Sequence, residues 1–448
     1  MSVLADRPAV MVGLVVLVGA ISAGLVLALP LVASSTLIIA ASSVGLALAC
    51  RRRPELLVPV LTGFVLRIAL VFVHLHVYRL PQWADAVQFM RRAHELAELG
   101  PVELWQAFGT GSASVPWLSA WLFKLLGTEP IMVQFVMAGL GASLILAVGQ
   151  LTAVLGGTRR MVMAAAWIMV FLPQPAVHSA LQLREVPFSL LFALAVLKYI
   201  QWVRSRNPRH AIAGSLLVLA ASVFHAGAVF LLVGLLIYSV LSIAQLSDRQ
   251  RILVGLGSAA VVFASSWFLL QTNYGAEQLG GDYVDVVDHF YVGEQRAPRG
   301  GAAYPEWLRI RSPDELWKAP LRLGMFLYAP FPWMVTTERQ LLGLIDSILF
   351  VIATYLVVRG VGYWRSRGRI QEVRLVLIVL IVAMSVFALG TSNYGTAIRH
   401  RAKFSPIVVA VAVAGLGRAA LESKGERSAN VFPATSQCQQ SLGSPWGS

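Results

Sequence analysis

The sequence predicts an all-α protein, a polytopic transmembrane helical bundle of about twelve spans with two outer loops that carry interfacial or re-entrant helices. Of its 448 residues, 57% are hydrophobic and only 13% are charged, and the mean hydropathy is +0.71. Soluble domains carry roughly 25% charged residues, and about 20 consecutive apolar residues cross a bilayer, a length that several runs approach or exceed. These observations exclude a soluble globular domain and a disordered chain.

In chain order, the apolar runs predict twelve spans, and two shorter stretches, 115–127 and 320–335, predict re-entrant or interfacial helices. The run 211–241 would be about 46 Å long as one helix, against a hydrocarbon core of about 30 Å. We split it at 225–227, because a buried histidine and a glycine weaken a helix centre. One tilted span is the alternative, and it would move the following loop to the other side. The predicted spans are 9–28, 31–49, 55–75, 131–154, 161–178, 183–202, 211–224, 227–241, 252–270, 340–359, 373–390 and 404–418.

The basic residues test this topology. The net charge is +14, from 36 Lys and Arg against 22 Asp and Glu. Because many basic residues stand in short clusters between apolar runs, they indicate membrane topology, and we expect membrane lipids and no nucleic acid as partners. With a cytoplasmic N-terminus, five clusters fall on the cytoplasmic side. They are Arg51–Arg53, Arg159–Arg160, Arg204–Arg209, Arg249–Arg251 and Arg359–Arg369.

The domain organisation is simple. We predict a single transmembrane domain, 1–420, and a cytoplasmic tail, 421–448, whose Ser, Gln and Gly content indicates disorder. Two cysteines, Cys50 and Cys438, provide no disulfide framework.

The first outer loop, 76–114, contains an amphipathic pattern over 86–99, which predicts a helix lying on the membrane surface. Asp85 opens that helix. It is either an N-cap, with Gln88 as its capping-box partner, or a carboxylate at the membrane edge that takes a proton from a hydroxyl group.

The second outer loop, 271–319, holds eight of the 22 acidic residues together with several aromatic ones. The acids of 282–288 have a spacing that could hold a divalent metal ion, and a solvated acidic face is the alternative. No cofactor is assigned, and no residue elsewhere is assigned to a metal.

Charged residues also stand at the entrance of the span 183–202. Arg184 and Glu185 follow a Pro-rich turn, 173–175, and His178. They either flank the membrane or mark a site in which the Arg184 guanidinium grips a phosphate.

Two further polar residues lie inside long apolar runs, His225 within 211–241 and Arg67 in the middle of the span 55–75. His225 is either a structural histidine or part of a site. Arg67 is predicted to face a cavity or to pair with a carboxylate such as Asp346.

The segment Asn393–Lys403 contains four basic or near-basic side chains within five residues, those of Arg399, His400, Arg401 and Lys403. It falls on the outer side, where the positive-inside bias predicts few basic residues. An anionic head group is one explanation for the cluster, and lipid anchoring at the interface is another. With a different number of preceding spans, the cluster would simply be cytoplasmic.

These residues together resemble the GT-C class of polytopic membrane glycosyltransferases, of the bacterial mannosyltransferase and arabinosyltransferase kind, which use polyprenyl-phosphate-sugar donors. The matching features are Asp85 with the helix to Gly100, the Pro-rich turn before Leu183-Arg184-Glu185, and the segment Gly395–Arg401. The segment Leu183–Leu241 is also similar to exopolysaccharide polymerases. Many GT-C members carry a pair of acids in the first loop, whereas Asp85 has no adjacent acid here.

The resemblance implies an inverting glycosyl transfer at the outer face of the cytoplasmic (inner) membrane, from the polyprenyl-phosphate-sugar donor to a glycan or lipid acceptor. Asp85 would be the general base. The donor phosphate would be bound by Arg184, Arg399, Arg401 and His400, with possible support from His178, Glu185, His225 and Arg67, and the acceptor would be bound by Tyr304, Trp307 and Trp317. The alternatives are an oligosaccharide repeat-unit polymerase or ligase, a lipid-linked glycan transporter, and a non-catalytic scaffold in polysaccharide export.

Overall fold

The computed structural model of the protein describes residues 30–81, 83–242, 303–310, 313–391 and 393–417. The predicted spans 9–28 and 252–270, most of the second outer loop and the tail 421–448 lie outside the described residues. Within the described ranges the regular structure is helical, and one isolated β-bridge joins Ala303 to Asn393. The predicted all-α class is therefore confirmed.

The described α-helices are numbered here in chain order. They are α1 Pro30–Ala49, α2 Leu57–His76, α3 Trp83–Ala97, α4 Pro101–Gln106, α5 Ser114–Leu126, α6 Pro130–Val154, α7 Arg159–Phe171, α8 Pro173–Ser179, α9 Glu185–Ser205, α10 Pro208–Phe224, α11 Phe230–Leu241, α12 Ala319–Tyr328, α13 Glu338–Ser366, α14 Ile370–Leu389, α15 Tyr394–Ala402 and α16 Ser405–Gly415. Short 3-10 helices connect several of them, at Cys50–Arg52, Pro54–Leu56, Ala226–Val229, Glu306–Leu308, Pro313–Lys318 and Pro332–Met334.

Six of the described helices are long and apolar enough to cross a membrane, and a seventh candidate is the pair α7 and α8, bent by 60°. These seven correspond to the predicted spans from 31–49 to 183–202 and to the spans 340–359 and 373–390. The other three predicted spans in the described ranges are the shorter apolar helices α10, α11 and α16. The described part of the chain is thus a helical bundle with six candidate membrane spans, or seven if the bent pair is one span.

The long run 211–241 is broken at the predicted position. α10 ends at Phe224, His225 is extended with φ −158°, and Ala226–Val229 forms a 3-10 turn before α11. The break brings Gly227 against the ring of Phe387, where a Cβ atom would lie 2.7 Å from the ring. A glycine is therefore required for this close approach.

Three of the predicted cytoplasmic Arg clusters meet at one end of the bundle, which we call the basic end. Arg204, at the end of α9, forms an ion pair of 3.0 Å with Glu372 at the start of α14, and Arg369 pairs with the same carboxylate at 3.1 Å. The hydroxyl of Tyr363 donates to the carbonyl of Gly156, in the turn before Arg159, at 2.9 Å. The predicted common location of these clusters is confirmed, whereas Arg249–Arg251 lies outside the described residues.

The first outer loop is largely helical. α3 buries Ala86, Ala93 and Leu96 and exposes Arg91 and Arg92, so the predicted amphipathic helix is confirmed. It begins at Trp83, which places Asp85 in its first turn, and the interpretation of Asp85 as an N-cap is therefore wrong. An acid in the first turn still interacts favourably with the partial positive charge of the helix N-terminus.

Two hydrogen bonds hold the rest of this loop to the bundle. The side-chain amide of Gln182, just before α9, donates to the hydroxyl of Ser119 in α5 at 2.6 Å. The backbone N–H of Gly111 donates to the carbonyl of Val223, near the end of α10, at 2.7 Å. The loop therefore lies over the end of the bundle opposite the basic end.

Candidate functional site

The candidate site is built around Arg399, in α15. Asn393 caps this helix, its side-chain oxygen accepting from the N–H of Thr396 at 2.7 Å. Nε of Arg399 donates to Oε1 of Glu185 at 2.7 Å, and Nη1 donates to Oδ2 of Asp85. One guanidinium thus joins residues that are 214 and 314 positions away in the sequence.

The two carboxylates differ in their access to solvent. The side chain of Asp85 is 42% exposed and that of Glu185 only 1%, with Arg399 between them at 17%. Burial of an ionised carboxylate is costly unless it is paired with a cation, as Glu185 is here. Asp85 is therefore the carboxylate that an incoming substrate can reach.

A second cation, Lys403, lies behind Arg399. Its Nζ is 3.8 Å from Oε1 of Glu185, and its side chain is fully buried. The amine lies over the rings of Phe188 and Phe387, 5.7 and 5.1 Å from their centroids. Burial lowers the pKa of Lys403, and the carboxylate of Glu185 opposes that shift, so Glu185 favours the protonated amine.

Lys403 was not among the residues predicted for the site, although the sequence carries a signal for it. Arg399 and Lys403 are four residues apart, so they share one helix face. Arg401 is two residues from each and points about 200° around the helix axis from Arg399. The periodicity of α15 separates the two faces of the basic cluster.

Two histidines lie beside this cluster. The rings of His225 and His400 are 5.4 Å apart, and Nδ1 of His400 is 3.3 Å from the hydroxyl of Thr391. Burial, and then the charge of Lys403, holds the pKa of both histidines well below the ordinary value of 6.5. Both rings are therefore neutral at pH 7, and each can donate or accept one hydrogen bond per nitrogen.

His178 and Arg184 complete the surroundings of Glu185. His178 is buried, and its Nε2 has no hydrogen-bond partner among the described residues. Arg184 immediately precedes α9 and is half-buried. It lies near enough for its charge to act on Glu185 and Lys403.

Arg401 lies outside this cluster. It is fully buried, and its guanidinium donates to the carbonyls of Leu327 and Ala329 at 2.7 and 2.8 Å, and more weakly to that of Phe326 at 3.4 Å. In a continuous helix the Phe326 carbonyl would accept from residue 330, which is a proline without an N–H. Arg401 therefore satisfies the carbonyls at the end of α12, and we leave it out of the phosphate-binding set.

Arg67 acts in the same way at a second helix break. It donates to the carbonyls of Gly63 and Met169 at 2.9 and 3.2 Å and makes no ion pair with Asp346. The natural helical partner of the Met169 carbonyl would be the N–H of residue 173, again a proline. Arg67 stabilises the bend between α7 and α8.

The described end of the second outer loop lies beside α15, because the bridge between Ala303 and Asn393 joins the two segments. Tyr304 is buried, with the guanidinium of Arg322 5.8 Å from its ring centroid. Trp307 and Trp317 are 61% and 66% exposed. Of the three residues predicted to bind an acceptor, these two tryptophans are accessible in the structure.

Within the residues that the structure describes, there is no group of three or more His, Cys, Asp or Glu side chains that could hold a metal ion. The acids of 282–288 lie outside those residues. Comparison with known proteins gives no family assignment: no family model matches the chain, and no curated protein matches it.

Proposed function

We propose that this protein is a membrane glycosyltransferase that moves a sugar from a polyprenyl-phosphate-linked donor to a glycan or lipid acceptor. The main support is the geometry of Arg399, which binds the accessible carboxylate of Asp85 and the buried carboxylate of Glu185 at the end of a membrane bundle. An arginine at the end of the bundle can bind two oxygens of a phosphate group at the bilayer surface.

The charges of the site fit such a donor. Arg184, Arg399 and Lys403 supply three positive charges, and Asp85 and Glu185 supply two negative charges, which leaves one positive charge. A sugar linked through a phosphodiester to a polyprenol carries one negative charge. Donor binding would therefore neutralise the site, and an incompletely paired charge near hydrocarbon is costly.

The proposed reaction uses the carboxylate and the cations in separate roles. Asp85 takes the proton of the acceptor hydroxyl, and the hydroxyl oxygen bonds to the anomeric carbon of the donor sugar. The bond from that carbon to the phosphate oxygen breaks, and its electron pair leaves with polyprenyl phosphate. Arg399 and Arg184 stabilise the charge that develops on the leaving phosphate. Attack opposite the leaving group inverts the anomeric centre.

From the positive-inside rule we expect the basic end to lie in the cytoplasm and the candidate site at the outer face of the inner membrane. We expect a single cysteine at Leu125, in α5, to react with a membrane-impermeant maleimide in intact cells, in a background without native cysteines. A cysteine at Arg367, at the basic end, should react only after permeabilisation. The reverse pattern would contradict an outer site.

A transfer assay tests the function. Purified protein in proteoliposomes receives radiolabelled polyprenyl-phosphate sugars and a panel of glycan and lipid acceptors. We expect Asp85→Asn to lower kcat at least about 100-fold, the usual contribution of a general base, without loss of folding. The matched control is Glu95→Gln, an exposed acid further along α3 that pairs with Arg91 and Arg92.

Two results would count against this proposal. Full activity of Asp85→Asn would remove the base assignment. Failure of the wild-type protein to bind or use any polyprenyl-phosphate sugar would contradict the function itself.

An oligosaccharide repeat-unit polymerase or ligase is the second candidate. The observation that favours it is the contact of His225 with His400, which brings the break between α10 and α11 into the site. Transfer of whole lipid-linked oligosaccharides, with no transfer of single sugars, would select this alternative.

A further inference from the structure

Oε1 of Glu185 has two cations within ion-pair distance. Nε of Arg399 lies at 2.7 Å, within hydrogen-bonding distance, and Nζ of Lys403 lies at 3.8 Å, just beyond it. Oε2 has no hydrogen-bond partner in the described part of the chain. Buried polar atoms without partners are rare in native proteins, so this arrangement needs a physical explanation.

The amine of Lys403 is also incompletely satisfied. It is fully buried, and among the described residues it has no hydrogen-bond partner for its three donors. Arg401, two residues earlier on α15, is equally buried but has hydrogen bonds to four backbone carbonyls and one hydroxyl. A lysine with a purely structural role would be expected to be satisfied in the same way.

The proposed function explains why Glu185 and Lys403 keep hydrogen-bonding groups without partners. To bind a donor phosphate and release Asp85, Arg399 must turn its guanidinium away from the two carboxylates. Glu185 would then be a buried carboxylate without a partner, which is strongly unfavourable. A small movement of Nζ of Lys403 toward Oε1 of Glu185, from 3.8 Å to hydrogen-bonding distance, would restore a hydrogen-bonded ion pair to Glu185.

We propose that Lys403 is the alternative counter-ion of Glu185 and that this exchange allows Arg399 to move from Asp85 and Glu185 to the donor phosphate. This inference rests on the proposed function. Lys403 is a positioning residue: it acts on the donor through Arg399, and it does not contact the reacting atoms. The exchange couples donor binding to the release of the general base.

The experiment measures binding of polyprenyl phosphate to the full chain in nanodiscs, and the donor and acceptor KM in the transfer assay. We expect Lys403→Met to weaken polyprenyl phosphate binding and raise the donor KM at least tenfold, because Arg399 is retained by Glu185. The acceptor KM should stay unchanged. The double variant Glu185→Gln with Lys403→Met should recover most of the binding, because it removes the buried charge together with its alternative partner.

If Lys403 has only a structural role, the double variant should bind polyprenyl phosphate no better than Lys403→Met. That result, or wild-type binding by a folded Lys403→Met protein, would overturn the inference. If Lys403→Met does not fold, the double variant decides: it should fold and bind polyprenyl phosphate within threefold of wild type, and failure of either would overturn the proposal. Arg399→Met distinguishes failure of this inference from failure of the proposed function. If the wild-type protein binds polyprenyl phosphate no better than Arg399→Met, the proposed function itself is contradicted.

Discussion

Replacement of Arg401 by methionine is expected to destabilise the fold, in contrast to replacement of Arg399. Four of the hydrogen bonds of Arg401 are 3.0 Å or shorter, to Leu327, Ala329, Gly343 and the hydroxyl of Ser347. Hydrogen bonds inside membrane proteins contribute about 0.6 kcal/mol on average, and those in soluble proteins about 1 kcal/mol. Loss of four therefore costs about 2–4 kcal/mol.

Unfolding by increasing SDS in mixed micelles measures this cost. Since about 1.4 kcal/mol corresponds to a factor of ten, Arg401→Met should lower the folding equilibrium constant about 30- to 700-fold. Arg399→Met is the matched control, because Lys403 remains 3.8 Å from Glu185 to compensate its charge. It should unfold at a higher SDS fraction than Arg401→Met and yet be inactive in the transfer assay.

The result that would refute this reasoning is equal unfolding behaviour of the two variants. It would mean that the carbonyl contacts of Arg401 contribute no more to the fold than the ion pairs of Arg399. A stable Arg401→Met protein without donor binding would return Arg401 to the phosphate-binding set.

The remaining predictions concern packing and pH. Gly141→Ala should lower the free energy of unfolding by about 1–3 kcal/mol, the usual cost of overpacking, because the added Cβ would lie 2.8 Å from Nε of Arg67. Gly45→Ala is the control, because a Cβ at that position would have no neighbouring atom within 4 Å. It should leave the stability unchanged or raise it in the same SDS titration. The pKa of His400 is lowered in the folded protein, so its neutral form contributes stability that is complete above pH 6.5 and is lost as the pH falls below that value. The melting temperature should therefore decrease between pH 6.5 and 5, and it should decrease less in His400→Asn.

Local patterns predicted the elements of this protein well, because they depend on neighbouring residues. The amphipathic spacing of 86–99 gave α3 to within a few residues, and the His-Ala-Gly sequence at 225–227 gave the break between α10 and α11. The Arg clusters gave the two ends of the bundle, since the cost of burying guanidinium groups keeps them at the surface. In each case the physical cause lies within about one helical turn.

The site itself was only partly predictable. Asp85, Glu185 and Arg399 were each selected from the sequence, but their contact depends on packing between elements hundreds of residues apart. Arg67 was expected to face a cavity or to pair with a carboxylate, whereas it binds the carbonyls of Gly63 and Met169, and the second of these becomes available only where α7 is bent. The position of Pro173 is visible in the sequence, but the partner of the freed carbonyl is not.

The buried arginines suggest how structural and functional charges in such bundles can be distinguished. Arg67 and Arg401 are both fully buried, and each binds backbone carbonyls, some of which a proline leaves without a helical partner. Such a carbonyl is present whether or not a substrate is bound. The guanidinium groups of these two arginines are therefore always engaged in hydrogen bonds to the backbone. Arg399 instead binds two carboxylates, one of them exposed and the other with a second cation within 4 Å. Carboxylates can change partners when an anion arrives, whereas a buried carbonyl in hydrocarbon cannot be left without a donor. The kind of acceptor that an arginine binds therefore indicates, better than its burial, whether that arginine is available for a substrate.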